Sequence, residues 1–361
     1  MKKRFIRTGS LVAAAAILIP AVAYALNIQV GMCVNLGWYS TNGDSSAVMS
    51  TLSSNNIKTV RQDFSWDLIQ PTPTTWSWSR TDTIMAAAAA NGVDVLPILD
   101  YVPSWANGGQ GRTVVPTDDS GYVNFVKAVF NRYGVNGTFW KTYAGVANPL
   151  REAEIWNEPW CRQSWATPNA ALYATYVRDA STAIRSIDST VAILASVDYA
   201  WAGSNFWTPQ IMAAMPDFSK YVSIADVHLY FTNFGGDNYS GAFDNLTKVR
   251  NVLTKYGVTT PMWITECGIS ATSIDQYENG ITGQPLPSAS AYAKQANYFI
   301  DVLNKVNTLA PTLNIQRFYA FVYQRAVSGS TLVGFMLADS NLKPTPAGTA
   351  IFNWVATHPA S

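Results

Sequence analysis

From Asn27 onward the chain alternates between two patterns of apolar residues. Short β-favouring runs are separated by longer stretches whose apolar positions recur every three to four residues. The runs fall at 28–35, 57–63, 93–100, 153–157, 191–197, 224–230, 261–266 and 316–323. Between them, helices are predicted most clearly over 171–187, 243–256 and 290–306. In the first of these Leu172, Tyr173, Tyr176, Val177, Ala180 and Ile184 make one face. Gly257 follows the second as a stop, and Pro346 opens a last helix through Val355. Eight strand–helix repeats predict a parallel sheet wrapped by helices, most simply a closed (β/α)8 TIM barrel. A doubly wound open sheet would need a phosphate-binding glycine turn after its first strand, and Gly31-Met32-Cys33-Val34-Asn35 is not one. No linker or internal repeat divides the chain, so one domain over 26–361 is expected. Its strand ends form one rim, where the glycine-rich stretches 107–111 and 234–237 are expected as flexible loops.

Residues 1–25 do not belong to that pattern. A basic start, an apolar run from Leu11 to Ala23 and a small-residue cleavage site at Ala23-Tyr24-Ala25 predict a secretory signal peptide. Its removal takes four basic and no acidic residues, moving the formal charge from +1 to about −3. A secreted or periplasmic protein without a membrane span is expected. The low charge carries no basic block for nucleic acid or anionic membrane. Combined with 13 Trp and 18 Tyr, it suits a neutral hydroxylated ligand whose ring faces lie on aromatic planes. Cys33, Cys161 and Cys267 allow at most one disulfide. With two His and no zinc-type spacing, neither a metal nor another cofactor is expected.

Two of the runs end abruptly in a carboxylate followed by a strand breaker. They are Glu154-Ile155-Trp156-Asn157-Glu158-Pro159 and Met262-Trp263-Ile264-Thr265-Glu266-Cys267-Gly268. A carboxylate at the mouth of a buried strand is costly to desolvate unless it has partners or a task. A pair of them is what glycosidic bond cleavage uses, one to protonate the leaving oxygen and one to attack or to activate water. Both segments resemble the signature segments of clan A glycoside hydrolases. The resemblance implies Glu158 as acid/base, Asn157 as its neighbour on the sugar 2-hydroxyl, and Glu266 as nucleophile of a retaining β-glycosidase. Stretches 60–66 and 99–105 are more similar to family 39, with its exopolysaccharide-cleaving endoglycosidases, than to family 5 cellulases.

Strand alternation adds supporting groups. Thr59, Arg61 and Asp63 share one face of the second strand, so an inward Arg61 meets an anion, either Asp63 or, as the resemblance implies, Glu266. Asp226, His228 and Tyr230 share a face of the sixth, and the resemblance gives His228 and Tyr230 contacts to substrate and nucleophile. On the fourth strand alternation cannot aim both Asn157 and Glu158 inward, so one lies past the ladder or on a bulge. Aromatic residues follow nearly every strand, and Trp38, Trp66, Tyr101, Trp105, Trp160, Trp165, Trp201 and Tyr323 are the expected sugar platforms. Where many clan members carry a Trp after the eighth strand, Phe321 or Tyr323 stands here. The expectation is a monomeric endo-hydrolase of a β-linked polysaccharide, either a bacterial exopolysaccharide or a glucan, mannan or xylan. Its rivals are a transglycosylase on the same residues and a non-catalytic sugar-binding barrel.

Overall fold

The computed structural model describes residues 27–36, 42–198, 207–230 and 240–360. In them eight parallel strands close into a barrel in chain order. These are β1 (Gln29–Cys33), β2 (Thr59–Ser65), β3 (Asp94–Asp100), β4 (Glu152–Ile155), β5 (Ala192–Ser196), β6 (Ile224–Tyr230), β7 (Met262–Gly268) and β8 (Ile315–Ala320). β1 closes the ring on β8, with Gln29 opposite Arg317 and Met32 opposite Ala320. Every predicted run overlaps one of these strands. Their near-continuous apolar character has a plain cause, because both faces of a barrel strand are buried.

One core lies between the sheet and its helices. Helix Ala170–Ile187 buries Tyr173, Tyr176, Val177, Ala180 and Ile184, the stripe seen in the sequence. Its first turn is capped by Asn169, whose side chain accepts a hydrogen bond from the Leu172 amide at 3.0 Å. Helix Ala289–Leu313 outlasts its predicted end by continuing the buried stripe through Ala310 and Leu313. It stops where Asn314 turns left-handed at φ 53°.

The second, smaller core fills the barrel itself. Leu96, Leu194, Ile224, Trp263 and Tyr319 pack there, in the layered manner of such barrels. The Tyr319 hydroxyl bonds Thr59 at 2.9 Å. Arg317 reaches Glu152 at 2.7 Å while its guanidinium lies 3.9 Å over the Trp263 ring. Gly31 faces this layer from β1, where a Cβ would stand 2.6 Å from the Tyr319 ring. The interior is therefore floored below the rim.

A register shift in β7 matters for what stands above that floor. Val227 of β6 pairs Ile264, but His228 pairs Glu266, so Thr265 is an extra residue on β7. Unbroken alternation would point Thr265 inward and Glu266 outward. With the bulge both face the axis, Thr265 donating to Asp226 and Glu266 standing beside His228.

The predicted loop 107–111 is tied together by one side chain. The Asn107 side chain donates to the Gly111 and Val114 carbonyls at 2.9 and 3.0 Å and accepts from the Gln110 amide at 3.0 Å. The stretch 234–237 and the expected signal peptide lie outside the described residues. Among the described residues no helix is long and apolar enough to cross a membrane.

Candidate active site

The β4 ladder ends at Ile155, and the next residues leave it by a left-handed turn. The Trp156 amide still donates to Leu99 O at 3.1 Å, but Trp156 sits at φ 68° and Glu158 at φ 43°. Such a conformation costs a bulky L-residue on the order of 1–3 kcal/mol and persists only when surroundings hold it. Here they do: Trp156 is fully buried, 5.0 Å from Trp165 by ring centroids, and its indole donates to Ser164 O at 3.1 Å. The turn brings Asn157 and Glu158 together to the axis, beyond the ladder.

Arg61 joins the site from β2. Its Nε and Nη2 fork onto both oxygens of Glu154 at 2.7 and 2.5 Å, its Nη1 donates to Glu266 Oε1 at 2.5 Å, and Nη2 also reaches Asn157 Oδ1 at 2.9 Å. It is not hydrogen-bonded to Asp63. Burial alone would lower its charge, but Glu154 and Glu266 hold the guanidinium well above its ordinary value. Glu154 feels mainly burial, which pushes its carboxyl up to about 7 against the pull of Arg61. The two-bond fork is the arrangement of an ionised carboxylate. Fixing Asn157 by its carbonyl oxygen leaves the amide N–H pair for other acceptors.

Glu266 also accepts from the Tyr230 hydroxyl at 2.7 Å. Burial works against its charge, yet His228, Arg61 and these hydrogen bonds hold its carboxyl below the usual carboxylate range. Glu158 is dressed differently. Its Oε1 meets His228 Nδ1 at 2.9 Å, and its side chain is 19% exposed against 10% for Glu266. His228 is fully enclosed, and burial favours the neutral ring, but Glu266 and the bond to Glu158 raise it to about 10. An Nδ1–H of the charged ring is therefore donated to Glu158. Oxygens of Glu158 and Glu266 approach within 4.8 Å of one another.

The structure thus gathers Arg61, Asn157, Glu158, His228, Tyr230 and Glu266 in one place. The aromatic expectations divide. Tyr101 lines the cavity over Glu266 together with Phe321, and Arg112 covers its ring at 3.8 Å. Trp160 lines a smaller cavity beside His228 and Tyr230, and its indole N–H finds no acceptor among the described residues. Trp105 is half-buried, its indole donating to Gln70 O at 2.9 Å. Trp66, Trp165 and Tyr323 are corrected: all three are fully buried and offer no face to a sugar. Trp66 stacks on Phe125, Trp165 supports Trp156, and the Tyr323 hydroxyl is spent on Leu342 O at 3.1 Å. Trp38 and Trp201 lie outside the described residues.

Two site residues escaped the sequence reasoning. Glu154 could have been found, since it alternates with Glu152 to the inward face of β4. Cys33, which lines the same cavity as Glu266 and Tyr101, carried no signal beyond its place at the end of β1.

An eight-stranded parallel barrel with paired carboxylates over its floor defines the class of barrel glycoside hydrolases. Residues 23–298 match the family described as Cellulase (glycosyl hydrolase family 5), and the chain belongs to that family. The similarity of single stretches to family 39 is thus not matched by the family assignment. No curated protein matches. Among solved structures the chain is similar to the GH39 enzyme from Xanthomonas axonopodis pv. citri, with TM-score 0.66 and 16% identity over 91% of this chain and 66% of that one. A monomeric beta-xylosidase from Caulobacter crescentus CB15 gives 0.63 and 17% over 91% and 68%. Xylanase 10B from Thermotoga petrophila RKU-1 gives 0.59 and 14% over 92% and 94%. At these identities the likeness is one of fold. The chain spans about two thirds of the length of the first two.

Proposed function

We propose that the chain is a secreted, endo-acting, retaining β-glycosidase, with Glu266 as nucleophile and Glu158 as acid/base. The observation that carries this reading is the carboxylate approach within 4.8 Å. This bound on the nearest oxygens accords with the roughly 5–5.5 Å carboxyl separation of retaining enzymes, and the anomer of the first product decides against the 6.5–9.5 Å of inverting ones.

The unequal dressing of the two acids supports the division of roles. Glu266, kept ionised by Arg61 and Tyr230, attacks the anomeric carbon as the glycosidic C–O bond breaks. The electron pair leaves on the departing oxygen, which takes a proton from Glu158. In the second step Glu158 removes a proton from water, whose oxygen displaces Glu266. The His228 Nδ1 contact at 2.9 Å fixes the Glu158 carboxyl group in place. The Asn157 amide, oriented by Arg61, is placed to hold a sugar hydroxyl, a contact that strengthens as charge develops on the ring.

Xylan and mannan come first among substrates, since the structural neighbours include xylanase 10B and an endo-beta-1,4-mannanase from Thermotoga petrophila. Cellulose, β-1,3-glucan and bacterial exopolysaccharides complete a panel on which reducing-end release is measured. One polymer is expected to give short oligosaccharides. Glu158→Gln should slow that release about 10²–10⁴-fold, and Glu266→Gln roughly 10⁴-fold or more. Proton NMR of the first product should show the β-anomer. An α-anomer formed first would sink the double displacement, and full activity in Glu266→Gln would remove the nucleophile.

A further inference from the structure

Beside the catalytic carboxylates stands a second acidic pair that the mechanism does not use. Asp63 leaves β2 two residues after Arg61, and Asp100 ends β3. Asp63 lines two cavities. One, of about 250 Å³, it shares with Glu266, Asn157, Tyr101 and Asn35. The other, of about 260 Å³, it shares with Ser65, Leu68, Ser77 and Arg80. Glu158 lines neither. An acid/base stands at the bond being broken, with the leaving group beyond it. The cavity that holds the nucleophile without the acid/base is therefore the glycone side, and Asp63 stands where that side continues outward over β2.

Asp100 lies behind Asp63, fully buried. Neither of its oxygens has a hydrogen-bond partner among the described residues, and the carboxyl group acting on it is that of Asp63. Two carboxyl groups make a hydrogen bond only when one carries the proton. The buried, donor-less member is the one that keeps it, since an unpaired charge there would be costly. Burial raises both carboxyls: with the Asp63 charge added Asp100 stands well above the ordinary carboxylate range, while Arg61 draws Asp63 back. Asn35 supplies Asp63 with another donor: in the orientation that satisfies both ends of its amide, the nitrogen lies 3.2 Å from Asp63 Oδ2.

We infer that Asp63 is a substrate-binding carboxylate that accepts hydroxyl hydrogens of a neutral glycone sugar, and that Asp100 is a neutral positioning acid whose O–H aims it. Asp63 lines both cavities, where its carboxylate can accept from a sugar hydroxyl. This deepens the glycosidase reading and rests on it.

The test is calorimetric binding of xylotetraose, mannotetraose and cellotetraose to the Glu266→Gln protein, so that turnover plays no part. Adding Asp63→Asn, which is isosteric, should weaken the bound tetraose 10–100-fold. Asp100→Ala should weaken it comparably. Asp100→Asn keeps an N–H donor toward Asp63 and should recover most of the affinity. Equal affinity with and without Asp63→Asn overturns the contact to sugar. Equal losses in Asp100→Asn and Asp100→Ala overturn the donor role. Turnover persisting in Glu266→Gln would instead count against the nucleophile assignment, leaving the binding comparison intact.

Discussion

His228 carries two charges' worth of influence on one ring. Glu266 and Glu158 raise it to about 10, so the folded protein keeps it protonated where the unfolded chain, at about 6.5, does not. A group raised on folding contributes stability that is fully present below its unfolded value and lost as pH rises through the folded one. The stability advantage of the wild type over His228→Asn should therefore be largest below about pH 6.5 and shrink steadily toward pH 10. Urea midpoints for both proteins across that range measure it, and a pH-independent difference would mean the ring is neutral in the fold. At this scale the sequence was most informative where side-chain alternation decides direction, as for Arg61, His228 and Tyr230. It said little about partners drawn from other strands. The Arg61–Glu154 fork joins residues 93 positions apart, and only the barrel brings them together. The aromatic residues misled for a related reason. A Trp after a strand serves a groove or a core equally well by composition, and Trp66 and Trp165 went to the core because Tyr122 and Phe125 close over the first and Tyr173 and Tyr176 over the second.

The strands themselves were legible because burial on both faces leaves long apolar runs. Their departures from regularity were not. The bulge at Thr265 is fixed by the registers of β6 and β8 on either side, and nothing in Met262-Trp263-Ile264-Thr265-Glu266 marks it. The turn after β4 was half legible: alternation required a break between Asn157 and Glu158, while the left-handed Trp156 that makes the break shows only in the fold. That residue links stability to chemistry. Trp156→Ala should destabilise by about 3–5 kcal/mol for loss of a buried Trp. It should also lower kcat, because the turn that presents Glu158 loses its anchor. Denaturant midpoints and kcat on the same preparation test both. A destabilised variant with unchanged kcat would show that the turn keeps its shape without the indole.

At the scale of the molecule, the open question of a disulfide has a definite answer. Cys33, Cys161 and Cys267 are all free thiols, and only Cys161 is partly exposed. Cys33 bonds Thr265 O at 3.2 Å inside the barrel, and Cys267 approaches the Tyr298 hydroxyl at 3.4 Å on the helix side. Thiol titration without reductant should count one reactive group in the native protein and three after denaturation. Two groups missing after denaturation would reveal a disulfide. The floor of the barrel has a longer reach. With Tyr319, Trp263 and the Arg317–Glu152 pair beneath the carboxylates, the site is a cup and not a pipe. Nothing reaches the carboxylates through the barrel from below, so visitors come from the rim. In the proposed two-step reaction the water that frees the sugar from Glu266 comes from the rim, on the side the departing segment has left. A polymer that lingers there lengthens the life of the covalent intermediate and gives another sugar the chance to arrive before the water.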